Sequence, residues 1–151
     1  MGTLRAIGED CGFGNVRTFI ASGNLLFCTT QTERQAREAV SARVAAHFGK
    51  AIPLFVRNAK ELAEVVAANP FTDDKPSRVM AYFLDDEPTQ SMIDEARDIR
   101  NERLAIGPRA VYVSYGDGIA NTRLKIPTIR LGTSRNMNSV TKMAAILAEM
   151  E

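Results

Sequence analysis

The sequence predicts an α+β protein made of two ferredoxin-like (βαββαβ-type) plaits packed together, residues 1–57 and 58–151, the first lacking its first strand. Three observations lead there: strand and helix patterns alternate along the whole chain, a glycine-asparagine hairpin joins the first two strands, and the second half repeats the grammar of the first. At 151 residues, with 45% hydrophobic and 25% charged side chains, the chain has the length for one compact domain or two small units sharing a core, and an ordinary globular composition.

Thr3 to Cys11 reads as a short helix with Leu4 and Ile7 three apart, stopped in the turn Gly12-Phe13-Gly14. Asn15 to Ser22 alternates as a strand, with Val16, Thr18 and Ile20 on one face and Arg17, Phe19 and Ala21 on the other. Ser22-Gly23-Asn24 then tolerates the backbone angles of a tight hairpin into a second strand, Leu25 to Cys28. Thr32 and Gln35 have capping-box spacing, and Ala36, Val40, Val44 and Phe48 recur every four residues until Gly49 ends the helix. Ile52 to Val56 completes the half as a strand, at a sheet edge because Pro53 has no amide to donate.

In the second half, Asn58 and Glu61 can cap a helix carrying Leu62, Val65 and Val66, which stops at Asn69-Pro70. A polar loop, Phe71 to Arg78, leads to an apolar strand, Val79 to Leu84, and the acidic turn Asp85-Asp86-Glu87-Pro88. Met92, Ile93, Ala96 and Ile99 form the buried stripe of the next helix. Arg103 to Ile106 and Ala110 to Tyr115 are two strands joined around Gly107-Pro108, and Asn136 to Met150 is the closing helix with Val140, Met143, Ala144 and Leu147 inward.

Composition narrows the function classes. No run of about eighteen apolar residues exists to span a bilayer, and no signal-peptide profile opens the chain, which predicts a cytoplasmic protein with no membrane partner. Cys11 and Cys28 lack CxxC spacing and are expected as reduced thiols. His47 is the single histidine and lies in a helical pattern, so zinc sites and histidine-based triads are not expected, and neither is a metal or a cofactor. The turn Asp85-Asp86-Glu87 has neither the spacing nor the glycine of a calcium loop and reads as a solvated turn. Tyr112 and Tyr115 are an odd number apart and fall on opposite faces of their strand, which suits packing better than base stacking. Net charge is only +1, yet residues 118–148 contain no carboxylate, and Arg123, Lys125, Arg130, Arg135 and Lys142 make that stretch +5.

The most site-like chemistry is Gly132-Thr133-Ser134-Arg135-Asn136-Met137-Asn138-Ser139-Val140, where the last helix opens. A helix start exposes amides and positive dipole, and Arg135 adds a fork suited to phosphate or carboxylate. The candidate ligand-binding set is Thr133, Ser134, Arg135, Asn136, Asn138 and Ser139, with Lys125, and with Ser22 and Asn24 of the hairpin. A structural alternative has Thr133 or Ser134 capping the helix while Arg135, Asn136 and Asn138 tie the two halves together.

Val16-Arg17-Thr18-Phe19-Ile20-Ala21-Ser22-Gly23-Asn24-Leu25-Leu26-Phe27, taken with Gly132 to Val140, resembles a bacterial family known as domain of unknown function 1697, over nearly the whole chain. Lys125-Ile126-Pro127 looks like one branch of it. The resemblance implies two ferredoxin-like plaits and no particular activity. Members usually begin with a strand leading into an Arg-Gly-Ile-Asn-Val-Gly-Gly segment, and this chain starts at the family's first helix. Met1 is then either an internal methionine of a longer protein or a misplaced start, and the chain by itself is expected to be poorly stable or to fill the gap with a strand from a partner or a second copy.

Three functional expectations follow. The first is a non-catalytic module that binds a phosphorylated ligand, a nucleotide or nucleic acid, at the basic start of the last helix, with Arg123, Lys125 and Lys142 supporting Arg135. The second is an enzyme that orients a phosphate- or carboxylate-bearing substrate through Arg135, Asn136 and Asn138. The third is a structural or interaction protein whose polar corner is an interdomain clasp.

Overall fold

The computed structural model describes residues 2–19, 24–50, 54–99, 102–116, 124–126 and 134–150. It has α+β architecture with two antiparallel sheets, and it divides into two compact units, Met1–Ala59 with Met143–Glu151, and Lys60–Lys142.

The first unit contains α1 (Gly2–Asp10), β1 (Gly14–Thr18), β2 (Leu25–Cys28) and α2 (Glu33–Phe48). β1 and β2 pair antiparallel, with an irregularity between Gly14 and Arg17 where Asn15 takes a φ of 50°. The alternation buries Val16 and leaves Arg17 exposed. Ile7, Phe13, Val16, Ala36, Val40 and Val44 form the core, with Cys11, Leu25, Phe27 and Leu54 packed on it. The Phe13 and Phe27 rings stack 4.0 Å apart. α1 approaches the hairpin so closely that a Cβ on Gly8 would lie 2.9 Å from Val16 Cγ1.

The capping box on α2 forms as its spacing predicts: Thr32 accepts from the Gln35 amide, and the Gln35 side chain accepts from the Thr32 amide. Gly49 closes the helix at a φ of 73°, the left-handed region in which a side chain would be strained. Phe48, which the four-residue repeat sets on one stripe with Ala36, Val40 and Val44, is 54% exposed and meets His47 edge-on. A four-residue repeat advances about 40° beyond each full turn of a 3.6-residue helix, so three steps from Ala36 carry Phe48 off the buried face. The strand expected over Ile52 to Val56 has no counterpart in its described part: residues 54–56 pair with no strand, although Leu54 still packs on the core. Ile52 and Pro53 lie outside the described residues.

The second unit holds most of α3 (Ala59–Ala67), then β3 (Val79–Phe83), α4 (Gln90–Asp94), β4 (Glu102–Gly107), β5 (Ala110–Tyr115), β6 (Ser134–Asn136) and the first half of α5 (Met137–Met150). Its sheet has the order β4-β5-β3-β6, antiparallel throughout. β5 is central and buried along its whole length, because both faces of the sheet are covered there, so it lacks the apolar-polar alternation of a strand with one face in water. On one face Tyr82, Val111, Val113 and Tyr115 form a core with Met80, Leu84, Leu104, Leu124 and Ile126 around it. On the other, the Tyr112 hydroxyl donates to the carbonyl of Val65 in the last turn of α3, where a helix leaves its own acceptors unpaired.

Two features of the second unit differ from expectation. The helix expected to carry Met92, Ile93, Ala96 and Ile99 stops at Asp94, and Ile99 is 46% exposed. Ser91 and Asp94 favour the helix interior weakly, and Arg97 leaves to pair its backbone with Lys125 while Asp98 turns the chain at a φ of 57°. The closing helix begins at Met137, one residue later than expected, because Ser134, Arg135 and Asn136 are drawn into β6.

Candidate functional site

β6 decides where the candidate side chains point. Ser134 stands opposite Tyr82, Arg135 opposite Ala81 and Asn136 opposite Met80. Successive strand residues face opposite sides of a sheet, so Arg135 shares a face with Ala81 and Tyr112, and Ser134 and Asn136 share the other with Tyr82 and Met80. The sequence-level picture of one continuous polar corner is thereby split by the thickness of a strand.

Arg135 is half-buried, and its guanidinium donates to the Ser134 carbonyl at 2.7 Å. Burial pulls its pKa below the ordinary guanidinium value, because the charged form loses hydration. Asn136 is the residue that caps α5: its Oδ1 accepts from the Ser139 amide at 2.8 Å, the geometry of an N-cap and the third helical residue. The sequence placed that role on Thr133 or Ser134. Ser134 lies three residues before the helix, inside the strand, whereas Asn136 is the last residue of β6 and the one directly before Met137, in position to reach the helix's amides. Ser139 is buried, and Asn138, in the first turn, is exposed.

Lys125 is exposed and held through its backbone to Arg97, with paired bonds of 2.8 and 3.0 Å. Asn24 belongs to the first unit, where its Nδ2 donates to the Phe19 carbonyl at 3.0 Å and its own carbonyl accepts from the Phe19 amide. Ser22 and Thr133 lie outside the described residues, as do Arg123, Arg130 and Gly132. Among the described residues, no group of three or more His, Cys, Asp or Glu is placed to hold a metal ion, and no helix is long and apolar enough to cross a membrane.

Sequence reasoning missed three polar assemblies in the second unit. Arg103 donates to Asp73 at 2.9 Å and to Asp74 at 2.8 Å while lying 4.8 Å above the Phe71 ring, and the buried Ser114 hydroxyl donates to Asp74. The Arg103 hydrogen bond holds Asp73 below the usual carboxylate range, and the Ser114 hydroxyl followed by Arg103 does the same for Asp74. Arg109, at a φ of 51°, donates its amide to Glu87, its Nε to the Asp85 carbonyl and a terminal nitrogen to Glu61, so the acidic turn is fastened to α3 and the β4–β5 hairpin. Tyr82 and Tyr115 join their hydroxyls 2.6 Å apart inside the core. The adjacent Asp73-Asp74 pair was a visible signal, but its partners lie about 30 to 40 positions away and only the fold brings them together.

No curated protein matches this chain. The structure is similar to that of the conserved bacterial protein SP0830 from Streptococcus pneumoniae, with a TM-score of 0.77 over 97% of this chain and 88% of that one. At 19% sequence identity the likeness is one of fold. The family model described as Protein of unknown function (DUF1697) matches residues 1–112, a span that includes the Ser22-Gly23-Asn24 hairpin and stops before Gly132 to Val140. That is well over half of the 151 residues, and the chain belongs to the DUF1697 family.

Proposed function

We propose that this protein is a non-catalytic module that binds a phosphorylated ligand, a nucleotide or nucleic acid, where β6 runs into α5. The observation that carries the reading is the half-buried Arg135 guanidinium two residues before a helix start. A cation kept partly out of water gains more from an anion than an exposed one does, because less solvent screens the pair. The exposed Asn138 side chain offers a further donor, and α5 itself provides no acceptor for the amides of Met137 and Asn138. Asn136 and Ser139 serve this site indirectly, by holding the first turn of the helix.

The fold reading that accompanies it is two ferredoxin-like plaits. In the second unit, support comes from the order β4-β5-β3-β6 with α4 between β3 and β4, the strand order of a split βαβ. In the first, support comes from an antiparallel hairpin flanked by two helices. A strand-completing partner or second copy for that two-stranded sheet, and residence in the cytoplasm with free Cys11 and Cys28 thiols, belong to the same reading.

A second reading makes this corner a structural clasp, favoured by the Asn136 cap and by the bond from Arg135 to Ser134. Thermal-shift titration with phosphate, nucleotides and short single-stranded RNA separates the two, using the parent, Arg135→Lys and Asn138→Ala. Ligand-induced stabilisation of the parent that weakens in both folded variants supports binding. No shift in the parent, together with a lower melting temperature for Arg135→Lys, supports the clasp.

A further inference from the structure

Beyond the end of α4, Arg97 and Lys125 form an isolated antiparallel bridge in which each amide donates to the other residue's carbonyl. Residues that exchange both bonds are directly opposite, with Cα atoms about 5.5 Å apart and side chains leaving on the same side. Both side chains are exposed, and among the described residues neither has an ion-pair partner. The carboxylates nearest in sequence are Asp94, Glu95 and Asp98. Gln90 donates to Asp94, and the left-handed turn at Asp98 takes the chain out of the bridge. Lys125 also sits in the segment 118–148, which has no carboxylate. Like charges directly opposite each other destabilise a strand pair, and a bridge one residue long has no neighbouring ladder to offset that repulsion.

We propose that Arg97 and Lys125 form a phosphate subsite, in which one phosphate group seated over the bridge turns the repulsion into attraction. The guanidinium supplies a planar fork for two oxygens and the ammonium a mobile point charge for a third. The proposal shares its ligand class with the reading above and takes Lys125 from the candidate set of the sequence, and it does not depend on Arg135. The same chemistry is offered by free phosphate, by the terminal phosphates of a nucleotide and by a nucleic-acid backbone.

The test is a set of thermal melts of the full chain, Arg97→Gln, Lys125→Gln and Arg135→Lys, at constant ionic strength in chloride, inorganic phosphate, tripolyphosphate or a short oligouridylate. In chloride, Arg97→Gln and Lys125→Gln are expected to melt at or above the parent, since each removes a repulsion. The phosphate-induced rise of the parent is expected to vanish in both and to persist in Arg135→Lys. A larger rise with tripolyphosphate marks a nucleotide-like source, and one with oligouridylate that falls steeply with salt marks a nucleic-acid backbone. Amide chemical-shift changes on phosphate addition should centre on Arg97 and Lys125. A parent that phosphate does not shift, a rise retained by both glutamine variants, or variants that melt below the parent in chloride would overturn the proposal. A rise lost only in Arg135→Lys would place the anion at α5 and remove it from the bridge.

Discussion

Substituting Gly107 by alanine tests the packing that fixes the second unit. A Cβ at that position would overlap Cε2 of Tyr112 and fall 2.9 Å from Cζ and 3.0 Å from Cδ2, inside the ring's van der Waals envelope. The ring has no easy retreat, because Tyr112 is fully buried and its hydroxyl is tied to the Val65 carbonyl of α3. Overpacking of this kind costs about 1–3 kcal/mol, and loosening the buried hydrogen bond adds about 1 kcal/mol. Alanine restricts the unfolded chain and returns about 0.4–1 kcal/mol, too little to win. The net expectation is a destabilisation of roughly 1–3.5 kcal/mol, or about 2–14 °C in melting temperature for a chain this long. Urea unfolding followed by near-ultraviolet circular dichroism would read it, in the parent and in a Tyr112→Leu background. With the ring gone, Gly107→Ala should be nearly neutral, so the two changes couple by more than about 1 kcal/mol. A cost below about 0.5 kcal/mol in the parent, or the same cost in both backgrounds, would refute the reasoning.

Other outcomes follow from the caps and the titrating groups. Asn136→Ala should lower stability by about 1 kcal/mol in denaturant unfolding and Asn136→Ser should recover most of it, because serine can still accept from the Ser139 amide. Thr32→Ala should cost a similar amount, about 1 kcal/mol, by opening the capping box of α2. The depressed pKa values of Asp73 and Asp74 mean that their stabilisation is complete above the unfolded carboxylate value and lost as pH falls through the lower folded values. Melting temperature should therefore decline below about pH 4, and the decline should be shallower in Asp74→Asn. Burial raises the phenol pKa of Tyr82, Tyr112 and Tyr115, that of Tyr112 to about 12, so their contribution is complete below the unfolded value near pH 10 and lost above it. Melts between about pH 9 and 12 should show that alkaline decline, flattened in Tyr112→Phe.

What the sequence determined by itself is local. The α2 capping box, its Gly49 stop, the strand Leu25–Cys28 and the strand Ala110–Tyr115 could be read directly, because each depends on residues within a few positions of one another. Periodicity located most helices but misplaced Phe48, because a four-residue repeat drifts around a helix. Of the candidate site, the sequence picked out Arg135 and Asn136 as chemistry worth placing, but their placement came from the sheet. Ser134, Arg135 and Asn136 have no apolar alternation to announce a strand, and pairing with β3 alone puts them on opposite faces. The same physics hid Arg103 with Asp73 and Asp74, Arg109 with Glu61, and Arg97 opposite Lys125. Cross-chain hydrogen bonds and ion pairs leave no periodic trace in a sequence, so only the tertiary structure decided which charges meet.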